Sequence, residues 1–283
     1  MTIYAGIVLY NPDINRLQQS LCSILRQVSG VVLVDNASSN VSEVLGLVDT
    51  LQSVILIQNH SNLGIARALN QICEYVEEKS GDWVLTLDQD TVCGDGFIDQ
   101  LSKFTNIPEV GILCPVVDYE GLSIKSNVQN DDIMPIKACM TSGSLTNLNA
   151  WKKVGGFRDD FFIDFVDNEY CMKLTVHKYK ILRVCGCVMH HQLGESKEYK
   201  FLGLFPRLVS VHHPWRYYYM TRNNPPFIWE YRSRLNIIKE YLKIASILWH
   251  GIMYSDEKKK TISFIRRGVC DARHHVMGKL TSL

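Results

Sequence analysis

An apolar run, Val84-Leu85-Thr86-Leu87, ends in Asp88-Gln89-Asp90-Thr91, two carboxylates with one residue between them. Alternate residues of a strand share a face, so Asp88 and Asp90 are expected on one side, where the hydrophobic run stops. Two anionic oxygen donors placed together call for a cation. At the carboxyl edge of an open α/β sheet, where ligands bind, the fitting ion is Mg²⁺ or Mn²⁺. Such ions take one or two protein carboxylates and complete their shell with water and substrate phosphates. The chemistry suggested is therefore that of a nucleotide diphosphate. A solvated turn after a strand would carry the same residues, so the elements around the pair decide its meaning.

Strand and helix patterns alternate through the first 115 residues in βαβ fashion, which predicts a parallel sheet. Ala5 to Leu9, Val31 to Val34, Val54 to Ile57, Trp83 to Leu87 and Val110 to Val117 read as strands. Leu17, Leu21, Ile24, Leu25 and Val28 repeat at helical spacing, as do Ile65, Leu69, Ile72, Cys73 and Val76. Asn11-Pro12 offers a cap followed by proline at a first helical position. Strand ends at Asn11, Asp35-Asn36, Asn59 and Asp88 are expected to line one crevice. Further on come a short helix over Asn149 to Val154, a turn at Gly155-Gly156-Phe157, and Asp164, Asp167 and Glu169 set among aromatics. From Pro226 onward the pattern is helical and amphipathic.

The 283 residues suit one large domain, or one domain with a helical appendage. Formal net charge is +1, unevenly spread: from Glu230 onward it is +6 and before that −5. A basic tail suits an anionic surface or ligand. Its lysines and arginines sit on helical patterns with apolar neighbours, which argues against nucleic acid. Nine cysteines without regular spacing argue against a disulfide framework and for a reducing compartment. The start, Met1-Thr2-Ile3-Tyr4, lacks the basic segment of a secretory leader, and no apolar run approaches the roughly 20 residues of a membrane span. A soluble or peripheral protein is expected.

Seven stretches together resemble glycosyltransferase family 2, the inverting transferases of the GT-A fold, and most closely its bacterial rhamnosyltransferase branch. They are Val34-Asp35-Asn36, Asn62 to Asn70, Asp88-Gln89-Asp90, Gly155-Gly156-Phe157, Asp164 to Glu169, His191-Gln192-Leu193-Gly194 and Arg216 to Asn223, in the family's order. The resemblance implies an α/β fold: a GT-A-type, Rossmann-like, mostly parallel sheet flanked by helices, with a helical C-terminal tail. It implies a glycosyltransferase domain over 1–225, of which 1–117 takes the nucleotide sugar and 118–225 the acceptor and base, and a basic amphipathic extension over 226–283.

By the same resemblance, Asp35 and Asn36 meet the nucleotide, Asn62 and Gly64 shape the loop beside it, and Arg67, Arg216 and Arg222 reach phosphates or sugar. Asp88 contacts ribose and metal, Asp90 is the direct metal ligand, and His191 approaches the ion. Inverting transfer needs a carboxylate to take the acceptor hydroxyl's proton. Asp167 falls where the family keeps that base. The acid usually preceding it is Val166 here, and Asp164 is its candidate replacement. Each residue also has a plainer role: Asp35 as a turn cap, Arg67 as a solvated helix residue, the three acids as helix N-terminal charges, the histidines as core, and the Arg216 to Asn223 block as a tyrosine-packed helix.

The function expected is metal-dependent transfer of L-rhamnose from dTDP-L-rhamnose to a polyprenyl-diphosphate-linked surface glycan, by a cytoplasmic protein peripheral at the inner face of the cell membrane. The alternatives are another donor, such as a galactofuranose or glucose nucleotide, or a non-catalytic glycan-assembly protein. The tail's apolar stripe has the membrane, the catalytic domain or a second copy of the chain as its expected partner. A sugar nucleotidyltransferase or a dinucleotide dehydrogenase would need a glycine-rich loop after the first strand, where Tyr10-Asn11-Pro12-Asp13 stands.

Overall fold

The computed structural model describes residues 1–119, 132–191, 196–201 and 205–281; the side chains of Tyr119 and of residues 190–210 lie outside that description. The chain divides into two compact units, one of Met1–Asp159 with Val166–His191, the other of Asp160–Phe165 with Gln192–Leu283.

In the first unit the order is β1 (Ile3–Leu9), α1 (Ile14–Ile24), β2 (Gly30–Asp35), α2 (Val41–Val48), β3 (Val54–Gln58), α3 (Ile65–Glu78), β4 (Trp83–Asp88), α4 (Phe97–Ser102) and β5 (Val110–Tyr119). Next come β6 (Ile133–Pro135), β7 (Ser144–Asn147), α5 (Leu148–Val154), α6 (Val166–Val176) and β8 (Lys180–His191). Eight strands form one sheet in the order β3-β2-β1-β4-β7-β5-β8-β6. Most neighbours are parallel, as alternating strands and helices require; β7 runs antiparallel to β4 and β5, and β6 antiparallel to β8. This is the expected α/β arrangement of a mostly parallel sheet. Strands β1, β2 and β4 are buried on both faces, with Ile7, Leu33 and Leu85 inaccessible to solvent. That accounts for their unbroken apolar runs rather than an alternating pattern.

Local chemistry sets the boundaries. The cap of α1 is Asp13, whose carboxylate accepts from Arg16 N at 2.9 Å. Asn11 was the expected cap; instead it lies at φ +49° and its Oδ1 accepts from Ser39 N at 2.8 Å and Ser39 Oγ at 2.9 Å. Its side chain is thus engaged across the crevice and is not available to α1. Asn147 caps α5, accepting from Ala150 N at 3.1 Å, and Gly155 at φ +83° ends it.

The second unit holds a one-turn helix at Asp159–Phe161 shared with the first, the hairpin β9 (Ser196–Phe201) and β10 (Phe205–Ser210), then α7 (Pro214–Glu230), α8 (Ile237–Tyr254) and α9 (Lys258–Arg273). The helical part was expected from Pro226, yet α7 begins at Pro214 and carries Pro225 and Pro226 inside it. Proline lacks the N–H for an internal helix bond. Packing outweighs that cost here, because Tyr217, Tyr218, Arg222 and Asn223 on the same helix are all nearly or fully buried. Tyr217, Met220 and Ile244 pack with Ile247, Leu248 and Ile265, which joins α7, α8 and α9. Ile238, Leu242 and Trp249 of α8 are exposed.

Candidate active site

The carboxyl ends of the parallel strands carry the expected polar residues, and hydrogen bonds tie those ends together. Leu9 stands opposite Asp35 and Val8 opposite Asp88, so Asp35 and Asp88 flank β1 about 10 Å apart, two strand spacings. Tyr10 N donates to Gln89 Oε1 at 3.0 Å and Asn11 N to Ser38 Oγ at 2.8 Å. Asn36 is buried; its Nδ2 donates to Gly64 O at 3.2 Å, and its Oδ1 accepts from Asn59 Nδ2 at 2.9 Å. Asn62 Oδ1 accepts from Gly64 N at 2.9 Å, closing a turn that delivers the chain to α3. Gly64 is buried at φ +87° and ψ 165°, a backbone state that is essentially restricted to glycine. The structure thus brings Asp35, Asn36, Asn62 and Gly64 into one braced crevice.

Asp35 is 1% exposed, and its two oxygens differ. Oδ2 accepts from Ser38 N at 3.0 Å, the turn-capping bond. Oδ1 is buried and has no hydrogen-bond partner. A buried carboxylate oxygen left open is costly, and the crevice therefore keeps an acceptor ready for a ligand N–H or O–H.

Strand β4 ends at Asp88, and its alternation does not carry on to Asp90 as expected. Thr91 N returns to Asp88 O at 3.1 Å, so Gln89 and Asp90 lie in a turn. Asp88 is half-buried and Asp90 exposed. The turn is held from two sides: Arg16 Nε donates to Asp90 O at 2.8 Å, and Ser142 Oγ accepts from Asp88 N at 3.0 Å while meeting Thr91 Oγ1 at 3.0 Å. No three His, Cys, Asp or Glu side chains converge as a metal cluster among the described residues. Two accessible hard-oxygen donors at a strand end still suit an ion that keeps water and phosphate ligands. His191 ends β8, and its side chain lies outside the described residues.

A cavity of about 510 Å³ opens in the same unit, lined among others by Ser142, Met140, Cys139, Asp167, Asn168 and Arg183. Asp167 stands in the first turn of α6, half-buried, with Oδ1 accepting from Asn168 N at 2.8 Å and Asn168 Nδ2 at 3.2 Å. Glu169 on that helix is inaccessible to solvent, with Oε1 3.5 Å from Lys173 Nζ. Hydrogen bonds from Cys114 and then Cys171 hold the half-buried Cys139 thiol well below its usual range.

Two of the expected ligand-binding arginines do other work. Arg67 forks onto Glu74, two helical turns further along α3, at 2.6 and 3.1 Å, and lies 3.9 Å from Asp159. Arg222 is 0% exposed, with its donors spent inside the second unit: Nε on Asn223 Oδ1 at 2.9 Å, Nη2 on Phe161 O at 2.9 Å and Asp160 O at 3.2 Å, and Nη1 on Gly278 O. It packs over the rings of Tyr218 and Tyr219. A guanidinium so enclosed is not open to a phosphate. Arg216 does stand at a carboxylate, but an internal one: Nη2 to Asp164 Oδ1 at 2.5 Å and Nε to Oδ2 at 3.4 Å.

Sequence reasoning missed Ser142, which braces the Asp88 turn, and Arg183; only the second left a signal, as a lone cation within the apolar run Ile181 to Met189. Asn70 closes the motif that begins at Asn62 and turns out to be a bracket. It accepts from Phe157 N and Trp151 Nε1 and donates to Phe157 O, fixing the turn at Gly156, where φ is +69° and a Cβ would stand 2.7 Å from Asn70 Oδ1.

Comparison with known proteins agrees with this geometry. The family model described as glycosyl transferase family 2 matches residues 4–174. A dTDP-rhamnosyl transferase, RfbF of Shigella flexneri, is 26% identical over 94% of this chain and 93% of its own. Among solved structures, the mannosyltransferase PcManGT from Pyrobaculum calidifontis in complex with GDP-Man and Mn²⁺ superposes with a TM-score of 0.59, at 15% identity, over 97% of this chain and 82% of that one. TarS 1–349 of S. aureus in complex with UDP-GlcNAc gives 0.57 at 15% identity, over 96% and 81%. With the crevice of strand ends, the paired aspartates and the sheet order all in agreement with the family match, this chain belongs to glycosyl transferase family 2 and is a glycosyltransferase.

Proposed function

We propose that the enzyme is a metal-dependent inverting transferase that moves L-rhamnose from dTDP-L-rhamnose to a lipid-linked surface glycan. The observation that carries this reading is the match to the Shigella dTDP-rhamnosyl transferase along nearly the whole of both chains. Residues 1–117 take the nucleotide sugar and 118–225 the acceptor and base. Asp35 receives a base or ribose donor at its open Oδ1, and Asn36 keeps Gly64 and Asn59 in place around the nucleoside. Asp88 and Asp90, with His191, are the residues that would hold Mg²⁺ or Mn²⁺, whose charge offsets that of the departing diphosphate. Asp167 takes the acceptor hydroxyl's proton as that oxygen bonds to the anomeric carbon, while the bond to the diphosphate breaks on the opposite face. Asp164 is less suited to this step, because its charge is already matched by Arg216.

The test offers dTDP-rhamnose and the galactofuranose and glucose nucleotides to purified enzyme with Mn²⁺ and with EDTA. Rhamnose transfer that stops in EDTA is expected; preference for another donor, or undiminished turnover in EDTA, overturns that part of the reading. Asp167→Asn should lower turnover on the order of 10² to 10⁴ with donor affinity kept. Turnover within twofold of the parent would remove Asp167 as the base.

The lipid-linked acceptor places the enzyme peripherally at the inner face of the cell membrane. No helix among the described residues is long and apolar enough to cross a membrane. The exposed Ile238, Leu242 and Trp249 of α8 and the exposed Lys258, Lys259 and Lys260 of α9 suit surface attachment, at about 1 kcal/mol per basic residue near anionic lipid. Salt-sensitive binding to anionic vesicles is expected; no binding at low salt would reassign this face to a second copy of the chain.

A further inference from the structure

Arg183 has no carboxylate partner among the described residues. It stands in the middle of β8, with Cys114 of β5 and Met134 of β6 as its register neighbours, neither of which can neutralise it. Its Nε is fully buried and has no hydrogen-bond partner. Arg183 as a whole is half-buried, and a guanidinium whose Nε is taken out of water without a partner is costly, so an apolar residue would serve a mere strand better. The group faces the 510 Å³ cavity that Asp167 and Ser142 also line.

The cavity has a direction. At one end Ser142 holds the Asp88 turn, beside which the diphosphate of the donor belongs. Arg183 stands on β8, which β7 and β5 separate from β4 by three strand spacings, roughly 14 Å. Asp167 lines the same cavity, so a group held by Arg183 belongs with the molecule whose hydroxyl Asp167 would deprotonate. Guanidinium groups select oxyanions by forked, charge-assisted hydrogen bonds.

We propose that Arg183 receives an oxyanion carried by the acceptor, so that the acceptor is an acidic glycan with a phosphate or carboxylate close to the hydroxyl that is glycosylated. This rests on the reading of Asp167 as the base and makes Arg183 a specificity-determining residue. The oxyanion has two sources, the phosphate of a carrier or the carboxylate of a uronic acid.

Matched acceptors separate them: a neutral alkyl glycoside, the same sugar as its 1-phosphate, and the corresponding uronate, each tested with wild type, Arg183→Met and Arg183→Lys. Wild type should favour one acidic acceptor over the neutral one on the order of 10- to 100-fold in kcat/KM, mostly through KM. Arg183→Met should abolish that preference, leave the neutral acceptor and the donor KM unchanged, and melt no lower than wild type; Arg183→Lys should restore part of it. Equal losses on neutral and acidic acceptors, a raised donor KM, or a lowered melting temperature would each overturn the assignment. Should no donor be turned over, the transferase reading has failed, and the site is tested alone by NMR titration of methyl phosphate and acetate in the presence of nucleoside diphosphate. Binding to wild type and not to Arg183→Met supports the site; equal binding, or none, overturns it.

Discussion

The crevice at the strand ends and the segment around Arg222 contain the same residue types, and they differ in what is left over. In the crevice, Asn36, Asn62 and Ser38 spend their bonds on bracing loops, and Asp35 Oδ1 stays open. In the second unit, Asn223 Nδ2 donates to Phe161 O, Ile163 O and Asp164 O at 3.0, 2.9 and 2.9 Å, and Arg222 takes the carbonyls beside them. Phe162, Asp164 and Phe165 hold φ values of +65°, +62° and +64°, a left-handed state costly for such side chains. Asn223 and Arg222 fix that strained backbone. A motif of Asp, Asn and Arg marks a binding site only where some of its hydrogen-bonding capacity remains unspent.

The largest expected effect breaks the clamp. Asn223→Leu removes the amide whose two N–H groups serve three carbonyls and whose oxygen accepts from Arg222 Nε, and each group left unsatisfied costs about 1–3 kcal/mol, so urea denaturation should show a loss of roughly 3 kcal/mol or more. If the variant keeps its stability and loses only activity, the clamp belongs with the ligand-binding residues and the comparison collapses. Asp35→Asn keeps the bond from Ser38 N and alters the open acceptor. Nucleotide affinity should fall on the order of 10-fold or more by calorimetry, with thermal stability unchanged or slightly raised. Unchanged affinity would mean that Oδ1 meets no ligand.

How far the sequence reveals the site follows from the same distinction. Strands and their ends are legible because five apolar runs each stop at a polar residue, and burial on both faces explains the runs. Asp35 and Asp88 stand out because each is a carboxylate that ends an apolar strand, and Asp167 because it begins a helix among aromatics. Arg222 is misread, since nothing in Arg216 to Asn223 tells a guanidinium that meets a phosphate from one that meets backbone carbonyls. That difference depends on Gly278 O and Phe161 O, 56 and 61 residues away. Ser142 lies in a polar stretch with no periodicity, and its bond to Asp88 N crosses 54 residues. The antiparallel β7 was visible only as an extended segment from Cys139 to Asn147, because pairing direction is set by the chain's return path and not by composition.

The smallest expected effect sharpens the account of the second unit. Burial, and then the Arg216 guanidinium, push the His212 pKa below the usual 6.5, against a smaller opposing pull from Asp164. The folded protein therefore binds fewer protons there than the unfolded chain. Its full contribution to stability is present above pH 6.5 and is lost as pH falls through the lowered folded value. Replacing His212 with asparagine should flatten the fall in melting temperature over that acid range by a small margin. The same slope in both proteins would show that His212 stays solvated.

Strand β7 lies between β4 and β5 although it is made after both. While the chain is being synthesised, β3, β2, β1 and β4 can assemble first, and the free edge of β4 then presents Val84, Leu85 and Leu87, all buried in the finished sheet. An apolar edge with unpaired backbone groups is a template for joining another chain. It stays open until Ser144–Asn147 has left the ribosome and paired with Trp83 to Thr86. A fragment cut after Val117 would keep that edge permanently and is expected to associate into insoluble material.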